Sequence, residues 1–122
     1  MYLKDDNLLP VLNNQVTTAN SSSYKKGMEG VKTLFLSEAT QDTVVYPYQS
    51  EQFGEYAWAS TKANPKTLEF LEGEQYTFNY LGLKERYDVN STNSSIILSS
   101  FPGDHIRFSD AYWDDVIIPL LK

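Results

Sequence analysis

The sequence lacks cysteine altogether. That removes disulfides, thiolate metal sites and cysteine nucleophiles. It has one histidine, His105, and no Gly-x-Ser-x-Gly or phosphate-cradling glycine motif. Basic residues are few: ten Lys and Arg stand against sixteen Asp and Glu, for a net charge of -6. The only adjacent basic pair is Lys25-Lys26. Counterion release from a phosphate backbone needs clustered cations, so nucleic acid is not an expected partner. Long apolar runs are also missing. None approaches the ~20 residues that span a bilayer, and the Met-Tyr-Leu-Lys-Asp-Asp opening has no signal-peptide core. The expectation is a cytoplasmic protein, or one assembled inside the cell, virions included, with no membrane partner and no secretion by signal peptide. Sequons at Asn20, Asn90 and Asn93 then read as turn composition.

At 122 residues the chain suits a single hydrophobic core. Residues 1–30 read as an N-terminal arm or long loop. Pro10 interrupts the apolar stretch from Leu8 to Leu12, and the Asn13 to Ser23 run is rich in side chains that compete with the backbone for hydrogen bonds. Residues 31–122 read as one β-rich domain. Val31 to Ser37 is a buried-strand pattern. Thr43 to Tyr48 and Glu55 to Ser60 alternate with period two. Thr67 to Leu71 and Gln75 to Leu81 flank Glu72-Gly73-Glu74 as a hairpin. Ser95 to Ser100 and His105 to Phe108 flank Pro102-Gly103 as a second. Asn90 to Ser95 is loop chemistry. Tyr112, Trp113, Val116, Ile117, Leu120 and Leu121 form a helical face, with Ser109 or Asp110 as cap. Together these predict a mainly β fold, a small antiparallel sandwich or barrel of about six to seven strands. An extended N-terminal arm precedes it and a short C-terminal helix follows.

No catalytic constellation emerges. Asp104 and His105 are neighbours on a predicted strand and would face opposite ways, so they do not converge. Glu69, Glu72 and Glu74 surround a predicted turn. Asp110, Asp114 and Asp115 complement a helix N-terminus. These patterns predict no catalytic residue, no metal ligand and no cofactor, and leave only a carboxylate-only hydrolase open. Aromatics are the positive signal, with nine Tyr, six Phe and two Trp. Tyr46, Tyr48, Tyr56, Trp58, Tyr76 and Tyr80 are the candidate binding residues, because Tyr and Trp combine apolar area with a polar handle at interfaces.

The expected function is a non-catalytic structural or assembly protein, like small virion or phage accessory proteins in architecture. It would bind protein partners, as a homo-oligomer or hetero-assembly, through the arm and the aromatic faces. Two alternatives stand beside it: a small acidic inhibitor, immunity or anti-defence protein that blocks a basic site, and a carbohydrate- or small-molecule-binding module.

Overall fold

The computed structural model describes residues 6, 8–89 and 95–122. Of the predicted Asn90 to Ser95 loop, residues 90–94, with the sequons at Asn90 and Asn93, lie outside these, and Ser95 opens a strand. Two compact units make up the chain. One joins Met1–Phe35 to Phe70–Ile97, the other Leu36–Glu69 to Leu98–Lys122.

In the first unit the predicted extended arm is helical instead. Helix α1 spans Leu9–Leu12 with Pro10 in its first turn, where a missing N–H costs nothing. Asp6 Oδ1 accepts the Leu8 and Leu9 N–H groups at 2.8 and 3.1 Å. Helix α2 spans Ser21–Glu29. The polar run before it supplies entry and turn chemistry. Ser21 Oγ accepts the Thr18 N–H at 2.8 Å. Asn14, at φ 57°, donates through Nδ2 to Ser21 O and Tyr80 O. Side chains that disfavour helix interiors thus brace the approach to one.

The predicted hairpin around Gly73 is absent. Helix α3 spans Glu74–Thr77 and helix α4 spans Leu83–Val89. Gly73 is the residue before α3, and its carbonyl accepts the Thr77 N–H and Oγ1 at 3.0 Å each. The alternating aromatics fooled the period-two reading. Phe70, Tyr76 and Tyr87 pack as a ring cluster with centroids 5.3 to 6.0 Å apart, over a core that includes Leu81, Leu83 and Ile96.

Strand β1 (Thr33–Ala39) begins in the first unit and ends in the second, as does a later strand, Ser95–Phe101. The two are neighbours in a two-stranded sheet. Ser95 N–H donates to Lys32 O near their starts, and Thr40 and Gln41 N–H to Phe101 O and Gly103 O past their ends. The strands therefore run parallel. The Pro102-Gly103 hairpin is overturned, because Ser95–Phe101 pairs with a strand far back in sequence and not with residues 105–108.

The second unit adds β2 (Glu55–Tyr56) and β3 (Thr67–Leu68), antiparallel with Glu55 opposite Leu68. Ser95–Phe101 is β4. The predicted strand from Thr43 to Tyr48 is a run of bends that leads into a 3-10 turn, Tyr48–Gln52. Its alternation gave way because Asp42 captures the backbone of residues 44 and 45. The C-terminal segment is helical from Asp110–Tyr112 through a π turn, Trp113–Ile117, to Ile118–Leu120, which contains Pro119. Ser109 Oγ accepts the Tyr112 N–H. Tyr112 Oη meets Ser37 Oγ of β1 and Ser99 Oγ of β4 at 2.8 and 2.7 Å. Among the described residues the strands are four and short, in two small sheets, with helices between them. The predicted antiparallel sandwich or barrel is thus replaced by a mixed α/β arrangement.

Arg86, 6 % exposed, secures the end of α2. Its Nη1 donates to Met28 O at 2.7 Å and its Nη2 to Val31 O. These carbonyls lie at and just past a helix C-terminus, where a cation is favourable. Replacing Arg86 by Ala removes two charge-assisted bonds at about 1.5 kcal/mol or more each. A loss of roughly 3 kcal/mol is expected in urea unfolding, and a loss below about 0.5 kcal/mol would contradict this role.

Candidate functional site

Two loops leave the C-terminal ends of the parallel strands, after Ala39 and after Phe101. In open parallel sheets that edge is where ligands and reactive groups collect. The first loop carries Asp42, the second Asp104 and His105.

Asp42 has a fully covered side chain. Its Oδ1 accepts the Val44 and Val45 N–H groups at 2.6 and 2.7 Å. Its Oδ2 lies 2.8 Å from His105 Nδ1. Burial opposes the charge, but the bonds from Val45, His105 and Val44, with one from Glu51, together outweigh it and hold Asp42 down at about 2. An ionised carboxylate only accepts, so Nδ1 of His105 is the donor. In the neutral ring the lone pair then sits on Nε2, to which no described residue is hydrogen-bonded. The imidazole is 36 % exposed. A covered carboxylate behind a reachable imidazole is how a histidine is oriented as a general base.

Asp104 has a different task. Its Oδ1 accepts Thr43 N–H and Oγ1 and the His105 N–H, each at 2.8 Å. The Thr43 N–H is the first cause of its lowered pKa. Asp104 thus laces the two loops together. The partner of His105 is not its neighbour Asp104 but Asp42, 63 residues upstream, which local sequence does not single out. A one-dimensional signal did exist: an Asp three residues past one apolar strand and a His four past another.

Glu51 completes the cluster. Its Oε2 accepts the Ala39 N–H at 2.7 Å, and its Oε1 is 3.9 Å from His105 Nδ1. Burial, the largest cause, and the Asp42 carboxylate push Glu51 above its ordinary 4.5, while the Ala39 N–H pulls the other way. Asp42, Glu51 and His105 offer ligand-type atoms within 4.8 Å of one another. Donors sharing one tetrahedral zinc would stand roughly 3.4 Å apart. The 2.8 Å Asp42–His105 contact is a hydrogen bond, and Asp42 Oδ1 is already occupied by two N–H groups. This is an acid–imidazole pair with a carboxyl beside it.

The aromatic candidates divide between the units. Tyr46, in the Asp42 loop, and Tyr56 pack at 6.1 Å between ring centroids. They line a cleft of about 540 Å³ with Ala57, Ser60, Thr61, Lys62 and Pro65. Trp58 is exposed and Tyr48 half-buried in the same unit. Tyr76 and Tyr80 belong to the other unit. Tyr76 donates to Asp88 Oδ1 at 2.7 Å, and Tyr80 stacks on Phe78.

Among the described residues no helix is long and apolar enough to cross a membrane. A family model for palmitoyl protein thioesterase matches residues 1–105. The chain is 31 % identical over 84 residues to the lysosomal thioesterase PPT2 homolog of Drosophila melanogaster, covering 69 % of this chain and 27 % of that protein. It is 25 % identical over 109 residues to lysosomal thioesterase PPT2-B of Xenopus laevis, covering 89 % of this chain and 38 % of that one. The chain thus spans well under half the length of these relatives. The family match overturns the expected non-catalytic assembly protein, its viral character and the two alternatives of inhibitor and binding module. The physical reason is the non-local Asp42–His105 pair, which no motif within either loop betrays. The chain belongs to the palmitoyl protein thioesterase family.

Proposed function

We propose that these residues supply the acid–base half of an acyl-thioester hydrolase, with Asp42 orienting His105. The observation that carries this is the 2.8 Å bond from His105 Nδ1 to a covered, ionised Asp42. The chain order, Asp before His, is that of α/β-hydrolases, in which the nucleophile precedes both. No Gly-x-Ser-x-Gly occurs in these 122 residues, so the nucleophilic hydroxyl comes from residues other than these. His105 Nε2 takes the hydroxyl proton as the oxygen attacks the thioester carbonyl. The proton then passes to the departing thiolate, leaving an acyl-enzyme. Water, deprotonated by the same nitrogen, releases the acid and restores the hydroxyl.

In the enzyme that joins these residues to the nucleophile, Asp42→Asn and His105→Ala should each cut palmitoyl-CoA hydrolysis by about 10³–10⁴-fold in kcat. Thiol release measures this. Activity within tenfold of the unmodified enzyme would defeat the reading. The cleft walled by Tyr46 and Tyr56 is the proposed seat of the apolar acyl chain. Tyr46→Ala should raise KM several-fold and leave kcat nearly unchanged, as loss of uniform binding does. Equal KM for long and short acyl thioesters in both proteins would remove Tyr46 from that role.

The relatives' names place them in lysosomes, and we infer an acidic compartment for this protein in place of the cytoplasm. Titration of the site supports it. Asp42 is depressed from 3.8 to about 2, so its contribution to stability is complete above 3.8 and disappears as pH falls through about 2. Glu51, and Glu38, whose carboxyl burial raises most, are shifted up from 4.5. Their contribution is complete below 4.5 and fades as pH rises through their folded values. Urea midpoints should therefore peak in mild acid, near pH 4 to 5. Glu38→Gln with Glu51→Gln should flatten the fall on the alkaline side. A midpoint that climbs steadily from pH 4 to 8 would contradict the assignment.

A further inference from the structure

Glu51 is the group at the Asp42–His105 pair for which the hydrolytic steps above have no use. It hangs from a rigid support. Its neighbour Gln52, 8 % exposed, donates through Nε2 to Leu36 O and Ser99 O at 3.2 and 2.6 Å, one carbonyl from each parallel strand. Beyond it, Gly54 leaves no room for a side chain: a Cβ there would stand 2.6 Å from Gln49 O and Leu68 O. The turn that presents Glu51 is therefore clamped to the same strand pair whose ends carry Asp42 and His105.

We propose that Glu51 is a positioning residue for hydrolysis, tying the Nδ1 side of the Asp42–His105 pair to the end of β1 so that the imidazole holds one orientation. The proposal rests on the reading of Asp42 and His105 as the acid–base pair. Two observations support it. Glu51 Oε2 is fixed by the Ala39 N–H, at the last residue of β1. Its Oε1 stands 3.9 Å from the ring nitrogen that Asp42 engages. Burial pushes the Glu51 carboxyl up, while its donors hold Asp42 down. Asp42 is the carboxylate in hydrogen-bond contact with the imidazole. The other acid facing Glu51 is Glu38, on β1.

The test compares Glu51→Gln, Glu51→Asp and Glu51→Ala with Asp42→Asn in the thioester-hydrolysing enzyme, with circular dichroism to confirm folding. Gln keeps the length of Glu and an acceptor for the Ala39 N–H. Asp is one methylene too short to hold the Ala39 N–H and still reach the Nδ1 side of His105. Glu51→Ala and Glu51→Asp should lose roughly a hundredfold in kcat, the order expected for a misplaced catalytic group, with KM within about twofold. Glu51→Gln should recover at least tenfold of that loss. A folded Glu51→Asp or Glu51→Ala with unchanged kcat, while Asp42→Asn is inactive, would overturn the role of Glu51 alone. Full activity in Asp42→Asn would instead bring down the underlying reading. Should Glu51→Ala not fold, the Gln and Asp variants decide: equal kcat in the two would refute positioning by reach.

Discussion

The arrangement of the site depends on one buried charge. A carboxylate with a fully covered side chain survives ionised only if enough donors converge on it. Asp42 obtains them from the Val44 and Val45 N–H groups and from His105. Supplying the first two bends the chain after Asp42, which is why Thr43 to Tyr48 cannot continue as a strand. Supplying the third draws in the loop after β4. Asp104 answers from the other side by accepting Thr43 twice. Each loop thus satisfies acceptors of the other, and the imidazole is oriented as a consequence.

The parallel strand pair makes this meeting of loops possible. Strands that run the same way deliver their C-terminal ends to one edge, however long the connection between them. Side chains from outside the pair bridge the two strands: Gln52 bonds a carbonyl of each, and Tyr112 a serine of each. An antiparallel hairpin at Pro102-Gly103 would pair Ser95 to Ser100 with His105 to Phe108 and would not bring the end of β1 to His105. The site is built on a pairing 63 residues distant in sequence.

That distance explains what the sequence showed and what it hid. The apolar runs around Val31 to Ser37 and Ser95 to Ser100 mark strands, since buried strands carry continuous hydrophobic stretches. Nothing local states their direction or partner. Turn glycines next to alternating aromatics favoured hairpins, yet Gly73 precedes a helix and Tyr76 packs on Phe70 and Tyr87. The Asn and Ser run before α2 read as an arm because its bracing bonds depend on distant neighbours such as Tyr80 O. His105 stands out as the single histidine, but local sequence offers Asp104 as its partner and not Asp42. Asp42 looks like any loop aspartate until burial is known. Of the aromatic residues, Tyr46 and Tyr56 wall a cleft. Their chemistry alone could not separate an enzyme from a binding surface.

The central claim is that Asp42 fixes His105 with its proton on Nδ1 and its lone pair on Nε2. Nitrogen-15 NMR of the imidazole reads this directly in the 122-residue chain. In the neutral ring, Nδ1 should be protonated and Nε2 bare, and Asp42→Asn should abolish that preference. A neutral His105 that carries its proton on Nε2 in the unmodified protein would contradict the account.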